Sequence, residues 1–194
     1  KALLIGEHAA VYGHPAIAVP LRGVRAAATI EFARDGRIEM YAPDIGEHVT
    51  SVEQASPRLK PLVDLVSLVA RSFGEENQGF RVVLESTIPI GRGMGSGAAA
   101  AVAVVRAVCK LLGRRLDDEQ VADFALTAER AFHGHPSGVD TAVVALDRPI
   151  YYTRGKPIRE VEIGPSVFRF VVADTGIESS TVRVVEEVRL AREK

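Results

Sequence analysis

The sequence contains a single cysteine, Cys109, among its 194 residues. An intramolecular disulfide is therefore impossible, and a cysteine-rich zinc site is excluded. The chain also lacks an excess of charge of either sign, because 24 Lys and Arg residues face 25 Asp and Glu residues. The net charge of −1 gives no electrostatic reason to expect nucleic acid or an anionic membrane as a partner.

Long apolar segments are missing as well. The longest strongly apolar run, Gly97 to Val105, is far too short to span a bilayer, and no basic segment followed by an apolar stretch and a cleavage site is visible. These absences predict a cytoplasmic protein without a membrane partner. The chain opens at Lys1 directly into an apolar run, and its last stretch, Thr181 to Lys194, has a helical pattern without a terminator. We therefore expect it to be part of a longer protein.

Hydrophobic periodicity predicts a mixture of strands and helices. Predicted strands cover 3–5, 16–19, 24–32, 37–41, a segment around 80–84, 150–153, 159–163 and 169–173. The strands 24–32 and 37–41 are expected to form a hairpin around Asp35-Gly36. Predicted helices cover 57–73, 98–112 (ended by Gly113) and a segment from Asp117 or Asp118 to about 132. This order is not a regular β-α series and favours an α+β two-layer domain with a mixed sheet.

A glycine-rich loop is the strongest local signal. The segment Pro89-Ile-Gly-Arg-Gly-Met-Gly-Ser-Gly-Ala-Ala99 has glycine at alternate positions from 91 to 97, between a predicted strand and a long helix. Glycine allows positive φ and close approach of the backbone, and a helix N-terminus favours anions, so the segment predicts a polyphosphate site. A tight packing turn without a ligand is the alternative. The segment lacks the Gly-Lys-Ser/Thr of a Walker loop and the Gly-x-Gly-x-x-Gly spacing of a dinucleotide fold.

Two carboxylates form a second signal. Glu129 lies late on a predicted helix, and Asp140 follows a tight loop that contains Gly134, Pro136 and Gly138. Phosphoryl transfer needs a hard oxygen ligand for Mg²⁺ and a carboxylate to orient the attacking hydroxyl, and these two residues could supply one each. Taken singly, they also fit a solvated helix end and a helix cap.

The histidines His133 and His135 do not indicate a metal centre. Their spacing across a glycine fits no helical zinc motif, and no cysteine accompanies them. A third block runs from Lys1 through Gly6-Glu7-His8 to Tyr12-Gly13. It places a cation, a carboxylate and an imidazole around one strand, where the lysine could neutralise phosphate charge. A charged strand end before a turn is the alternative.

Together, the three blocks resemble the superfamily of galactokinase, homoserine kinase, mevalonate kinase and phosphomevalonate kinase (the GHMP kinases). That superfamily's phosphate loop reads Pro-x-x-x-Gly-Leu-Gly-Ser-Ser-Ala, which is similar to 89–98 here. Within the superfamily, the block from Lys1 to Gly13 and the block from Glu129 to Asp140 resemble mevalonate kinases most closely. Pro43-Asp44-Ile45-Gly46 and the segment 173–181 are weaker supporting matches. The resemblance implies the superfamily's N-terminal domain with a left-handed β-α-β unit over 1–180, followed at 181–194 by a helix leading into a C-terminal domain that this chain lacks.

The resemblance also implies roles. ATP and Mg²⁺ would be the cofactors, mevalonate the substrate, and a homodimer a further expectation. Asp140 would orient or deprotonate the C5 hydroxyl of mevalonate, and Lys1 would stabilise the charge that develops on it. Glu129 and Ser96 would hold Mg²⁺, and Glu7, His8 and Thr181 would bind the substrate. The ATP-binding residues would be Pro89, Gly91, Gly93, Met94, Gly95, Ser96, Gly97, Ala98 and Ala99.

One departure from the superfamily pattern stands out. Its second loop serine is Gly97 here, so Ser96 is the only hydroxyl left in the loop, and Ser96 also occupies the expected N-cap position. Two other functions stay open. One is a related kinase acting on phosphomevalonate or another mevalonate-like acid. The other is a non-catalytic ligand-binding module, against which the presence of Lys1, Glu129 and Asp140 argues.

Overall fold

The computed structural model describes residues 1–34, 36–133 and 136–162, together with Val171 and Ala173. The strands in this part are β1 (Ala2–Ile5), β2 (Ala16–Val19), β3 (Ala26–Ala33), β4 (Ile38–Ala42), β5 (Glu47–Val49), β6 (Gly79–Ser86), β7 (Ile150–Tyr152) and β8 (Arg159–Glu160). The α-helices are α1 (Lys60–Ser72), α2 (Ser96–Leu111), α3 (Asp118–His133) and α4 (Val139–Leu146). Short 3₁₀ turns cover Ala9–Tyr12, Pro43–Ile45 and Val52–Gln54.

The strands form two sheets of four strands within the described residues. The first has the order β1-β2-β7-β8 and is antiparallel throughout, whereas the second has the order β3-β6-β4-β5 and is mixed. The prediction of an α+β domain with a mixed sheet is confirmed, with a second, antiparallel sheet beside it. The parallel neighbours β4 and β6 are joined through β5 and α1, because a parallel pair needs a crossover connection.

The predicted hairpin between the third and fourth strands is wrong. Strand β6 lies between them, antiparallel to β3 from Ala26↔Ser86 to Ala33↔Gly79 and parallel to β4 from Ile38↔Phe80 to Tyr41↔Val83. A turn signal such as Asp35-Gly36 reports only local backbone preference. Which strand pairs with which is decided by burial, and β6 buries Phe80, Val82 and Leu84 as the central strand of this sheet.

Helix α2 is the centre of the helical layer. It is apolar almost all round, as the sequence predicts, and it packs against α1, α3, α4 and strand β3. The main core lies between these elements and the mixed sheet, and its fully buried side chains include Met40, Val63, Val66, Phe80, Val82, Val104, Val105 and Val108. Burial on several sides fixes α2, so the loop that precedes it is attached to a rigid element.

The ends of α2 and α3 are set by local chemistry. After α2, Gly113 adopts a left-handed φ of 63°, as expected of a terminating glycine. At the start of α3, the Gln120 N–H donates to Asp117 Oδ1 at 2.8 Å, and the Asp117 N–H donates to Gln120 Oε1 at 3.0 Å. This reciprocal capping box confirms Asp117 as the cap and fixes the start of the helix that carries Glu129.

Some predictions lie wholly or largely outside the described residues. They include the helix expected at 181–194, Thr181, and most of the strand expected at 169–173. The domain boundary at residue 180 therefore stays a prediction. Within the described ranges, no helix has both the length and the apolar character needed to cross a membrane.

Candidate active site

The glycine-rich loop joins the end of β6 to the start of α2. Gly91, Gly93 and Gly95 have φ values of 70°, 69° and 75°, a left-handed conformation that glycine adopts without steric cost. The loop ends at the first turn of α2, where the backbone N–H groups have no helical acceptor and attract anions. The predicted polyphosphate loop thus has the backbone that its sequence requires.

The motif Pro43-Asp44-Ile45-Gly46 contacts the end of the strand that leads into this loop. Asp44 lies in the 3₁₀ turn Pro43–Ile45, and its carboxylate accepts a hydrogen bond from the N–H of Ser86. Ser86 is the last residue of β6 and lies three residues before Pro89, where the glycine-rich segment begins. This contact gives the motif a structural role, because it fixes the point at which the chain leaves the sheet.

Three distant segments meet at Lys1. Its backbone nitrogen donates to the carbonyl of Met94 at 3.0 Å, and its Nζ lies 3.1 Å from Asp140 Oδ1. A Cβ placed on Gly95 would lie 3.1 Å from Lys1 Cγ and 3.6 Å from Asp140 Oδ2, so the loop backbone passes directly beside the ion pair. The lysine side chain is only 5% exposed, while that of Asp140 is 29% exposed. The cation is buried, and the carboxylate is the accessible partner.

Asp140 is held by the turn that begins α4. Gly138 has a φ of 90° and precedes the helix, and the Thr141 hydroxyl donates to the Gly138 carbonyl at 3.1 Å. From the antiparallel sheet, the Tyr152 hydroxyl donates to the carbonyl of Ser137 at 2.6 Å. A Cβ on Gly138 would lie 2.6 Å from the Tyr152 oxygen, so only glycine fits this close approach. The turn, and with it Asp140, is clamped between α4 and β7.

Glu129 lies in a different environment. It projects from α3, whose residues Val121, Ala125 and Ala128 are buried, and it is itself only 5% exposed. Burial raises the pKa of the Glu129 carboxyl to about 7, the negative charge of Asp140 acts in the same direction, and the positive charge of Lys1 opposes both. A buried carboxylate of this kind is stabilised by any cation that reaches it.

The donor set fits a hard divalent cation. Carboxylate oxygens at Glu129 and Asp140 and the hydroxyl of Ser96 are of the type that Mg²⁺ prefers, and the phosphates of a nucleotide would supply further oxygens. Within the described ranges, no group of three or more Asp, Glu, His or Cys residues could hold a metal ion by itself.

The N-cap role considered for Ser96 is not observed. Helix α2 begins at Ser96, its N-cap is Gly95 in a left-handed conformation, and no side-chain oxygen caps it. The Ser96 side chain makes no hydrogen bond to any described residue. Its hydroxyl is therefore not occupied by the helix terminus, since glycine at the cap position leaves the serine one residue inside the helix.

The remaining predicted residues are spread more widely. Ala98 and Ala99 are buried in the core, so only their backbone can face the loop, whereas Pro89 is exposed before the loop begins. Glu7 and His8 lie in the turn after β1, where His8 has a positive φ of 60°. Neither side chain forms an ion pair or hydrogen bond with a described residue, and their predicted contact with substrate stays untested.

The candidate site lies in neither of two hollows on the protein surface. One surface hollow of about 570 Å³ is lined by residues such as Arg37, Glu53 and Glu75, and another of about 530 Å³ by Arg106, Lys110 and Arg115. Neither contains a residue of the predicted site. The candidate site is therefore indicated by the proximity of the glycine-rich loop, Lys1 and Asp140, and not by the shape of the surface.

Sequence reasoning missed Tyr152. Nothing in the local sequence marks this tyrosine, because its partner is a carbonyl 15 residues earlier in the chain, across the α4 turn. Only the antiparallel sheet brings it to the site. The close approach of Glu129 to Gly97 was missed for the same reason.

The described residues thus bring together a glycine-rich loop, a buried lysine and two carboxylates, which are the kinds of group that phosphoryl transfer requires. The family model described as "GHMP kinases N terminal domain" matches residues 61–148 of this chain. A mevalonate kinase of Pyrococcus furiosus is 35% identical over 97% of this chain and 59% of its own length. Residues 61–148 therefore match the N-terminal domain of the GHMP kinases, and the chain is similar to this mevalonate kinase along almost its whole length. It spans about 59% of the length of that curated relative.

Solved structures agree on the fold. A crystal structure of L. major mevalonate kinase in complex with R-mevalonate has a TM-score of 0.73 at 23% identity, covering 98% of this chain and 59% of that chain. A Streptococcus pneumoniae phosphomevalonate kinase in complex with phosphomevalonate and AMPPNP has a TM-score of 0.66 at 19% identity, covering 78% of this chain and 47% of that chain. Both comparisons show that this chain shares the fold of these structures.

Proposed function

We propose that this chain is the N-terminal part of an ATP-dependent kinase that phosphorylates the C5 hydroxyl of mevalonate, giving 5-phosphomevalonate. The observation that carries the proposal is the pairing of Lys1 Nζ with Asp140 Oδ1 at 3.1 Å, beside Gly95 at the end of the phosphate loop. It supports the proposal because a carboxylate and a cation, the groups expected beside a transferred phosphoryl group, lie next to the glycine-rich loop. The mevalonate kinase of Pyrococcus furiosus supports the choice of acceptor.

The proposed reaction is an in-line displacement. The C5 oxygen of mevalonate forms a bond to the γ-phosphorus of ATP, the bond from that phosphorus to the oxygen bridging to the β-phosphate breaks, and ADP leaves. Asp140 orients the hydroxyl and accepts its proton, which is consistent with its partial exposure. Lys1 stabilises the negative charge that develops on the oxygen and the γ-phosphate, and its burial strengthens that interaction.

The proposal includes Mg²⁺ bound with ATP, held by Glu129 and the Ser96 hydroxyl. The ion would neutralise phosphate charge. Substrate contacts through Glu7, His8 and Thr181, a cytoplasmic location and a homodimer stay predictions. They follow from the resemblance to mevalonate kinases rather than from contacts among the described residues.

A coupled assay of the full-length protein with ATP and a panel of acceptors tests the proposal. The panel contains mevalonate, phosphomevalonate, galactose and homoserine. We expect kcat/KM for mevalonate to exceed that for every other acceptor. A preference for phosphomevalonate would replace the proposed acceptor by the alternative, and failure of every acceptor together with intact nucleotide binding would favour a non-catalytic module.

A further inference from the structure

Gly97 differs from the other glycines of the loop. Gly91, Gly93 and Gly95 have left-handed φ values, but Gly97 lies inside α2 with an ordinary helical backbone. Glycine is among the poorest helix formers, and alanine in such a position normally stabilises a helix. Backbone conformation therefore does not require glycine at position 97.

The limited space around position 97 does require glycine. A Cβ on Gly97 would lie 2.8 Å from Glu129 Oε1, closer than real Cβ atoms come to an oxygen, and 3.6 Å from Cδ2 of Phe132. An exposed glutamate could swing away from such a contact, but Glu129 is buried. The Phe132 ring, one turn further along α3, closes a second side. A side chain at position 97 would therefore displace the carboxylate.

The first turn of α2 is also a favourable place for a carboxylate. The positive end of the helix dipole and the unpaired N–H groups stabilise negative charge there. Close contact between α2 and α3 is needed to bring Glu129 to this turn, and the absence of a side chain at position 97 allows it. Gly97 stands where the superfamily's loop pattern has a serine, so this chain has no side chain at the position that faces Glu129.

We propose that Gly97 is a positioning residue for Glu129: its missing side chain sets the place of the Glu129 carboxylate against the first turn of α2, and so determines how tightly the site binds a metal–nucleotide complex. The inference deepens the proposed function and rests on it for the role of Glu129 in holding the cation. According to this proposal, glycine at position 97 leaves the space that glutamate at position 129 occupies, so the two residues are matched in size.

The test is Gly97→Ala in the full-length protein, with Gly23→Ala as the control, because Gly23 has no positive φ and open space around it. We expect Gly97→Ala to lower the melting temperature of the nucleotide-free protein, against the direction of helix propensity. MgADP binding measured by calorimetry should weaken by about 10–100-fold, the range for residues that orient a metal ligand. Gly23→Ala should change neither quantity. A higher melting temperature and unchanged MgADP binding in Gly97→Ala would overturn the proposal.

A rescue variant separates positioning from general damage. Glu129→Asp withdraws the carboxylate by one methylene, so Gly97→Ala combined with Glu129→Asp should bind MgADP more tightly than Gly97→Ala alone. If Gly97→Ala does not fold, combining it with Glu129→Ala should restore folding, because the obstructing carboxylate is gone. No recovery in either double variant would refute the size match.

The outcome is distinguishable from failure of the proposed function. Melting and MgADP binding are measured without an acceptor, so the rescue can succeed even if mevalonate is not phosphorylated. Conversely, a protein that phosphorylates mevalonate but shows no coupling between positions 97 and 129 would keep its function and lose this inference.

Discussion

The two carboxylates of the site lie in contrasting environments. Glu129 is buried on α3 and its pKa is raised to about 7, whereas Asp140 is partly exposed at the start of α4 and pairs with Lys1. A general base must reach substrate and be ionised, whereas a ligand for a cation benefits from a site with little water. The contrast therefore separates two roles that the sequence alone leaves interchangeable.

The largest expected effect is at the exposed carboxylate. Asp140→Asn in the full-length protein should lower kcat by about 10²–10⁴, the range for loss of a general base, while ATP binding is retained. Steady-state kinetics and calorimetric ATP binding measure the two quantities. Asp147→Asn is a matched control, because Asp147 caps the other end of α4 and pairs with Arg22 at the surface. Near-normal kcat in Asp140→Asn would remove this residue from the mechanism.

Ionisation of the buried carboxyl of Glu129 should make the stability of the protein depend on pH. The folded-state pKa of Glu129, about 7, exceeds its ordinary value of 4.5, so unfolding releases its proton between these values and stability falls as pH rises through this window. At pH 8 this corresponds to about 3 kcal/mol of destabilisation in the nucleotide-free protein. Glu129→Gln should abolish the fall, so the variant melts progressively higher than the wild type from pH 5 to pH 8.

The same variant should raise the Mg²⁺ concentration needed for half-maximal activity and lower kcat. Glu119→Gln, exposed on the same helix, is the control for both measurements. A parallel pH dependence of melting in Glu129→Gln and wild type would show that the Glu129 carboxyl is not the group that titrates. Unchanged Mg²⁺ dependence would place the cation elsewhere.

A smaller effect is expected where the sheet supports Asp140. Tyr152→Phe removes the hydrogen bond to the Ser137 carbonyl and should cost about 0.5–1.5 kcal/mol of stability, as well as part of kcat through the mobility of the turn. Thermal melting and kinetics measure both. Tyr151→Phe is the control, because Tyr151 contacts Arg159 through its ring, with the guanidinium carbon 4.6 Å from the ring centroid, and phenylalanine keeps the ring. Equal effects of the two variants would argue against a clamp.

The smallest stability effect is expected at Ser96. Because no side chain caps α2, Ser96→Ala should leave the melting temperature nearly unchanged, whereas Asp117→Ala, which removes a formed cap, should cost about 0.5–2 kcal/mol. Any loss of kcat/KM in Ser96→Ala would then report a contact of its hydroxyl with phosphate or cation. A melting loss equal to that of Asp117→Ala would restore the cap interpretation.

Much of the site was predictable because its signals are local. The left-handed glycines at 91, 93 and 95, the cap at Asp117 and the terminator at Gly113 follow from backbone preferences that each residue carries with it. The order of the three motifs was enough to indicate the GHMP kinases. The resemblance implied that Lys1 and Asp140 act in one site, but their ion pair was not predicted, because the two residues lie far apart in the chain.

The glycine-rich loop, the extent of the long helices and the resemblance to the superfamily could be predicted from the sequence, because they depend on residues close together in the chain or on motif order. Packing in three dimensions was needed to show that β6 separates β3 from β4, that Tyr152 holds the Asp140 turn, and that Gly97 leaves space for Glu129. Strand partners, close contacts and the pKa of a buried acid depend on atoms brought together by packing. Local propensity does not encode those distances, because the same residue types are compatible with many other neighbours.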